Sequence, residues 1–345
     1  MLNIIMSGNT DIGRVRQINE DSFRLIPERK TVVVCDGMGG HAAGEVASRR
    51  AAEAVVAYLL HDPARIQTTL PVLDTSALPA EAKGLAQAVR LANRSVFVAA
   101  QSQQNMRGMG TTLVAARFWN GCVGICHVGD SRAYRFAGGK LEALTTDHSL
   151  LAELKAQGEI SADQEKNFPE RNVITRALGT RPSVAVDVKI QAARKNDWFL
   201  LCSDGLCGYI DDPDIERALI DLYPDHERAV NRLIEMANAA GGQDNCTVAI
   251  AVVADDAGNT AVEEMLETIP ESTPEEAPME LAFLTELGLG AALAPKRGSD
   301  SDTDKIRIVQ SPPVPGPAAD SVDEKTIPPV QDKRRKGGFW PWSKG

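Results

Sequence analysis

No stretch of this sequence reaches the roughly 18 consecutive apolar residues that a membrane span requires. The opening residues, MLNIIMSGNTDIG, lack the basic and long apolar segments of a secretory leader. The six cysteines, at 35, 122, 126, 202, 207 and 246, never form a C-x-x-C pair and mostly sit in apolar, strand-like runs. That excludes a zinc knuckle or a disulfide framework and fits reduced core thiols of a cytoplasmic protein. There is no basic excess: net charge is −10 and pI is 5.1, so the body is not built to hold nucleic acid or an anionic membrane by electrostatics. No G-x-S-x-G surrounds Ser131 or Ser203, which argues against a serine triad. The histidines are few and scattered. His61 and His226 read as surface residues, His127 as a strand residue, and His41 and His148 as neighbours of the site described below.

What is present starts at residues 30–48, KTVVVCDGMGGHAAGEVAS. The β-branched run Val32–Val34 reads as a buried strand that stops at Asp36, with glycines at 37, 39 and 40 and a helical stretch after them. A strand-end carboxylate followed by Gly is easily approached. Strands are expected over 1–12, 22–26 and 31–35, and helices over 43–60 and 80–103. Asn120-Gly121 between TTLVAARFW and CVGICHV is a strong hairpin signal. Another hairpin follows around Gly138-Gly139, then a helix over 148–158, a polar excursion over 159–175, a strand in VAVDVKIQA, and a second apolar run ending in Asp, WFLLCSDG. Helices near 213–221 and 225–240 precede the last strand, CTVAIAVVA. Residues 255–332 are acidic and rich in Pro, Ser and Thr, a composition that cannot offset chain entropy by burial, so disorder is expected. Within that stretch, 279–294 reads as a short apolar helix. The basic-aromatic end 333–345, with KRRKGGFWPWSKG, suits an interface or a partner groove.

Asp36, Asp130, Asp204 and Asp244 each lie at a strand boundary. Taken singly, any of them is best read as a turn or cap residue. Four at equivalent positions can meet at one rim, where they would repel unless a divalent cation neutralised them. An all-oxygen set suits Mg²⁺ or Mn²⁺. Upstream, GRVRQINED supplies Arg16, Glu20 and Asp21, and a guanidinium fork beside hard cations matches phosphate. Two rival readings are weaker. Gly37 to Ala42 fits a loose G-x-G-x-x-A dinucleotide loop, but Asp36 would face the pyrophosphate. Cys126 to Arg132 has thiol-phosphatase spacing, but Arg132 opens a strand and Asp130 would repel the phosphate.

In order, GRVRQINEDS, VVVCDGMGGHAAGE, GMGTTLVAA, HVGDSRAY, VITRALG, LLCSDGL and GGQDNCTV resemble the PP2C-type (PPM) metal-dependent serine/threonine protein phosphatases, most of all the bacterial stand-alone members. The resemblance covers about residues 5–253. It implies an α+β fold: a four-layer α-β-β-α sandwich of two antiparallel sheets flanked by helices, spanning 1–254, with a disordered tail over 255–345. It implies that Asp36 bridges two ions and that Gly37 ligates through its carbonyl. Asp204 and Asp244 would complete the first ion, with Glu20 and Asp21 at the second. Asp130, with Asp204, would hold a third ion, and Arg16 the phosphate. The segment 149–172 would be the flap beside the site. Animal members carry a His two residues after the bridging Asp, proposed as general acid; Met38 stands there in this chain.

The implied activity is hydrolysis of phosphoserine and phosphothreonine on proteins by direct attack of a hydroxide shared by two Mn²⁺ or Mg²⁺ ions roughly 3.5–4 Å apart. The implied setting is a cytoplasmic monomer opposing a bacterial eukaryotic-like Ser/Thr kinase. Thr303 and Thr326, in acidic surroundings, are candidates for a forkhead-associated-domain partner. The alternative is a catalytically idle phosphoprotein-binding regulator that works through its tail.

Overall fold

Val32 and Val34 point between two sheets, while Val33 and Cys35 point the other way, into a helical layer. All four are fully buried, which is why this strand reads as an unbroken apolar run and not as an alternating one. The computed structural model describes residues 2–39, 43–61, 78–102, 104–160, 164, 168–170, 172–255 and 264–289. These belong to one compact unit, Met1–Gln310.

One sheet is ordered β1-β11-β10-β7-β8, from Ile4–Asp11 (β1), Arg132–Ala137 (β7), Lys140–Ala143 (β8), Trp198–Cys202 (β10) and Cys246–Val253 (β11). The other runs β12-β9-β6-β5-β3-β2, from Asp21–Ile26 (β2), Thr31–Met38 (β3), Leu113–Trp119 (β5), Cys122–Val128 (β6), Val186–Ala192 (β9) and Met265–Ile269 (β12). The two-residue β4, Gly110–Thr111, pairs with the end of β3. Every strand pair is antiparallel. Phe23, Val114, Phe118 and Ile125 from one sheet meet Phe199, Leu201, Ala249 and Ala251 from the other, with Phe118 edge-on to Phe199 at 5.2 Å. The outer faces are covered by α1 (Ala43–Leu60) and α2 (Ala80–Ser102) on one side, and by α5 (Asp212–Leu222) and α6 (His226–Ala239) on the other. Shorter helices are α3 (Leu150–Ala156), which opens the expected flap with Ser149 as its N-cap, and α4 (Asp204–Cys207). The Asn120-Gly121 turn has φ of 44° and 78°, as a two-residue hairpin requires.

Within 255–332, where disorder with a short helix over 279–294 is expected, residues 264–289 form a strand and a helix. β12 pairs with β9 from Met265↔Ile190 to Ile269↔Val186, and α7 (Glu276–Glu286) packs beside α2. Averaging composition over a long acidic stretch hid three anchors: Ile269, Phe283 and Leu284 are completely buried. The helix expected over 279–294 starts at Glu276, with Pro278 tolerated in its first turn, and stops where Gly288 takes φ +73°. Its polar side is equally committed. Arg90 and Arg94 of α2 reach Glu276 and Glu280, and Arg90, Arg94 and Glu280 are all buried. The remaining tail features, including Thr303, Thr326 and 333–345, lie outside the described residues, as do Gly40 to Ala42. His226 is also less exposed than expected: its Nδ1 lies 2.9 Å from the Ser7 hydroxyl, and its ring stands edge-on to Trp198.

Candidate metal centre

The acids gather where strands of both sheets end. Asp21 opens β2 directly opposite Asp36 of β3. The Gly37 N–H donates to the Glu20 carbonyl at 3.0 Å. Any Cβ at Gly37 would collide with the Glu20 and Gly44 carbonyl oxygens, and one at Gly44 would strike the Glu20 carboxylate. Glycine at both places lets the start of α1 close onto the acids. The Asp36 backbone is pinned by two threonines: its N–H donates to Thr112 Oγ1 at 3.0 Å, and its carbonyl accepts from Thr112 N–H and Thr111 Oγ1, both at 2.8 Å.

Asp204 is the first residue of α4, immediately after β10, and Asp244 lies just before β11. The charge of Asp204 is one of those that act on Asp36. Arg16 donates from Nη2 to Asp244 Oδ2 at 2.8 Å, with the guanidinium half exposed. Asp21 Oδ2 accepts from the Ser203 and Thr247 hydroxyls, both at 2.7 Å. Asn245 ties the N-terminal loop to the last strand: its Oδ1 accepts from Glu20 N–H at 2.8 Å, and its Nδ2 donates to the Ile12 and Ile18 carbonyls at 2.9 and 3.0 Å. Asp130 sits between Gly129, held at φ +111° against Thr112, and Ser131, whose Oγ is 2.6 Å from Thr112 Oγ1.

Burial, then neighbouring charge, raises these carboxyls. Burial together with Asp204 and Asp244 pushes Asp21 to about 7 despite its two hydroxyl donors. Burial together with Asp204 and Asp147 pushes Asp130 to about 7. Asp36 is driven well above the usual carboxylate range by burial and by Asp21, Asp204 and Asp130, and Asp204 and Glu20 also rise through burial.

Among the described residues, no three His, Cys, Asp or Glu side chains are already drawn together as a closed ligand set. The donors nonetheless fit a hard divalent cation. The six acids and the Gly37 carbonyl offer only oxygen. Glu20 Oε1, Asp21 Oδ1 and Asp130 Oδ1 are buried without a hydrogen-bond partner. Mutual repulsion among these carboxylates is what added positive charge relieves.

The thiol-loop reading closes. Cys126 is fully buried with its thiol pushed up by burial, and Arg132 forks onto Asp147 at 2.8 and 2.7 Å. The structure thus gathers Arg16, Glu20, Asp21, Asp36, Gly37, Asp204 and Asp244, with Asp130 beside Asp204. The reading of the sequence passed over Thr112, Ser203, Asn245 and Thr247, which hold the acids in place. Ser203 and Asn245 flank Asp204 and Asp244, so small polar residues next to strand-end acids were the available signal.

Residues 13–251 match the family model for protein phosphatase 2C. The chain belongs to the protein phosphatase 2C family. It is 39% identical over 244 residues to the serine/threonine phosphatase stp of Listeria monocytogenes, a match spanning 69% of this chain and 92% of that protein. It is 37% identical over 255 residues to the serine/threonine protein phosphatase PstP of Mycobacterium tuberculosis, spanning 74% of this chain and 46% of PstP. The solved PstP catalytic domain in complex with two manganese ions is 33% identical and superposes with a TM-score of 0.63, over 74% of this chain and 100% of that one. Protein phosphatase 2C members are metal-dependent enzymes, and the antiparallel sandwich with its flanking helices is the fold they share with this chain. Among the described residues, no helix is long and apolar enough to cross a membrane.

Proposed function

We propose that this chain hydrolyses phosphoserine and phosphothreonine on proteins in one step, with water as the attacking group and no phosphoenzyme. The observation that carries this reading is the gathering of six carboxylates, three of them with an orphaned buried oxygen, beside a half-exposed Arg16. In this reading Asp36 and the Gly37 carbonyl would help to hold two ions, with Asp204 and Asp244 serving the first, Asp21 and Glu20 the second, and Asp130 with Asp204 a third. Bound Mn²⁺ or Mg²⁺ supplies charge neutralisation and a water acidified toward neutrality.

The protein's own groups do the rest. Arg16 turns its fork from Asp244 to the equatorial phosphate oxygens. The Ser203 and Thr247 hydroxyls hold Asp21 in one orientation, and Thr111 and Thr112 hold Asp36. With Met38 where animal members carry His, no side chain there gives a proton to the leaving oxygen, so that proton comes from water. The substrate is a phosphoprotein set by a Ser/Thr kinase, in the cytoplasm, with Thr303 or Thr326 as a docking mark for a forkhead-associated domain.

Hydrolysis of p-nitrophenyl phosphate and of a phosphothreonine peptide tests the reading. EDTA should abolish both, Mn²⁺ should restore both, and iodoacetamide should change little. Activity that survives EDTA but is lost to iodoacetamide would overturn it.

A further inference from the structure

Among the proposed ligands, Asp130 follows a glycine whose backbone is held by a histidine. The Gly129 N–H donates to His148 Nδ1 at 3.0 Å, and the His148 N–H donates to the Gly129 carbonyl at 2.8 Å. A single residue therefore satisfies both backbone groups of the glycine that aims Asp130. Because an amide N–H only donates, Nδ1 is the bare nitrogen and Nε2 carries the proton. Nε2 lies 3.0 Å from Asp187 Oδ2 on β9. The ring is buried and stacks on His127 at 4.5 Å, so it has little freedom to turn away. Asp187 is itself a junction: its Oδ1 accepts from Arg176 at 2.8 Å and from the Thr268 hydroxyl at 2.9 Å. Thr268 lies on β12, outside the 13–251 match to the family.

We infer that His148, oriented by Asp187, is a positioning residue for Asp130, and that Thr268 makes the C-terminal β12–α7 segment part of that support. The chain of contacts runs Thr268, Asp187, His148, Gly129, Asp130. It also passes through the base of the flap, since Thr175 N–H donates to the His148 carbonyl at 2.9 Å. The inference rests on the reading of Asp130 as a metal ligand.

Mn²⁺ binding by the full chain, followed from the electron-spin-resonance signal of free Mn²⁺, tests it without recourse to turnover. Asp130→Asn should weaken one binding event. His148→Ala should weaken that same event roughly tenfold or more and leave the other ions in place. His148→Asn keeps an acceptor for the Gly129 N–H and should restore most of the loss, whereas His148→Gln should not. Thr268→Val should shift the same event by roughly twofold to fivefold, the scale of one exposed polar contact. If His148→Ala fails to fold, the Asn and Gln variants carry the comparison alone. An Asp130→Asn effect with unchanged binding in the His148 variants overturns the positioning role and spares the ligand reading. No effect of Asp130→Asn overturns the ligand reading and this inference with it. Equal weakening of all ions by the His148 variants, with a lowered Tm, reduces His148 to a structural residue.

Discussion

Asp21 and Asp36 stand directly opposite each other in the β2–β3 pair. Like charges in register across two strands oppose pairing. The surrounding Ile26↔Thr31 to Ser22↔Cys35 register holds them there nonetheless. The fold places two acids where only a proton or a cation makes the arrangement comfortable.

That conflict sets a pH signature. Asp21 and Asp130 both sit near 7 in the folded chain, against about 4 when unfolded. A carboxyl raised on folding contributes stability fully below its unfolded value and loses it as pH rises through the folded one. In EDTA, Tm should therefore fall between pH 5 and 8, and the gain on adding Mn²⁺ should widen over the same interval. Differential scanning fluorimetry with both additives reads this directly, and a Mn²⁺ gain that shrinks with pH would contradict it.

Asp204 belongs to the first ion in the proposed assignment, and its charge helps to raise Asp36. Asp204→Asn should lower kcat for p-nitrophenyl phosphate by roughly 100-fold or more. It should also raise the Tm of the metal-free protein, because one source of repulsion is gone. Near-normal turnover would sink the assignment.

Among the described residues, the hydrogen-bonded ion pair of Arg16 is with Asp244. Arg16→Ala should cost roughly 10- to 100-fold in kcat/KM, the range of one charged hydrogen-bonding group, while half-saturation by Mn²⁺ stays close to wild type. Arg16→Lys keeps the charge without the fork and should recover only part of it. Steady-state kinetics on a phosphothreonine peptide separates these outcomes.

Glu280 is 1% exposed and faces both Arg90 and Arg94. Glu280→Ala leaves two buried guanidiniums short of an acid and should cost about 3–5 kcal/mol of folding stability. Chemical denaturation of the full chain measures it. A loss below 1 kcal/mol, the range of an exposed pair, would mean that Glu280 adds little to the hold of Phe283, Leu284 and the Arg90–Glu276 pair on α7.

Much of this was legible because strands buried on both faces and strand-end acids leave plain marks. VVVCDG and WFLLCSDG announce both a buried strand and the acid that ends it, and Asn120-Gly121 announces its hairpin. The two α-helical layers followed from their periodicity. The last strand and helix were illegible for the opposite reason. β12, MLETI, gains its stability from the edge of β9, a partner some 75 residues earlier in the chain that no local pattern reports. The supports of the site were hidden likewise: Thr112 and Asn245 act through backbone groups that only the folded chain brings near them, whereas His148 was legible as a neighbour of the site but not in its contacts.

Asn245 joins the loop of Ile12 to Glu20 to the start of β11, and among the described residues β1 pairs with β11 alone. β1 thus waits for a strand made far later in the chain before it can pair. Chains released before Asp244 hold five of the six acids but lack Asp244, Asn245 and the strand that pairs with β1, so they should show no phosphatase activity.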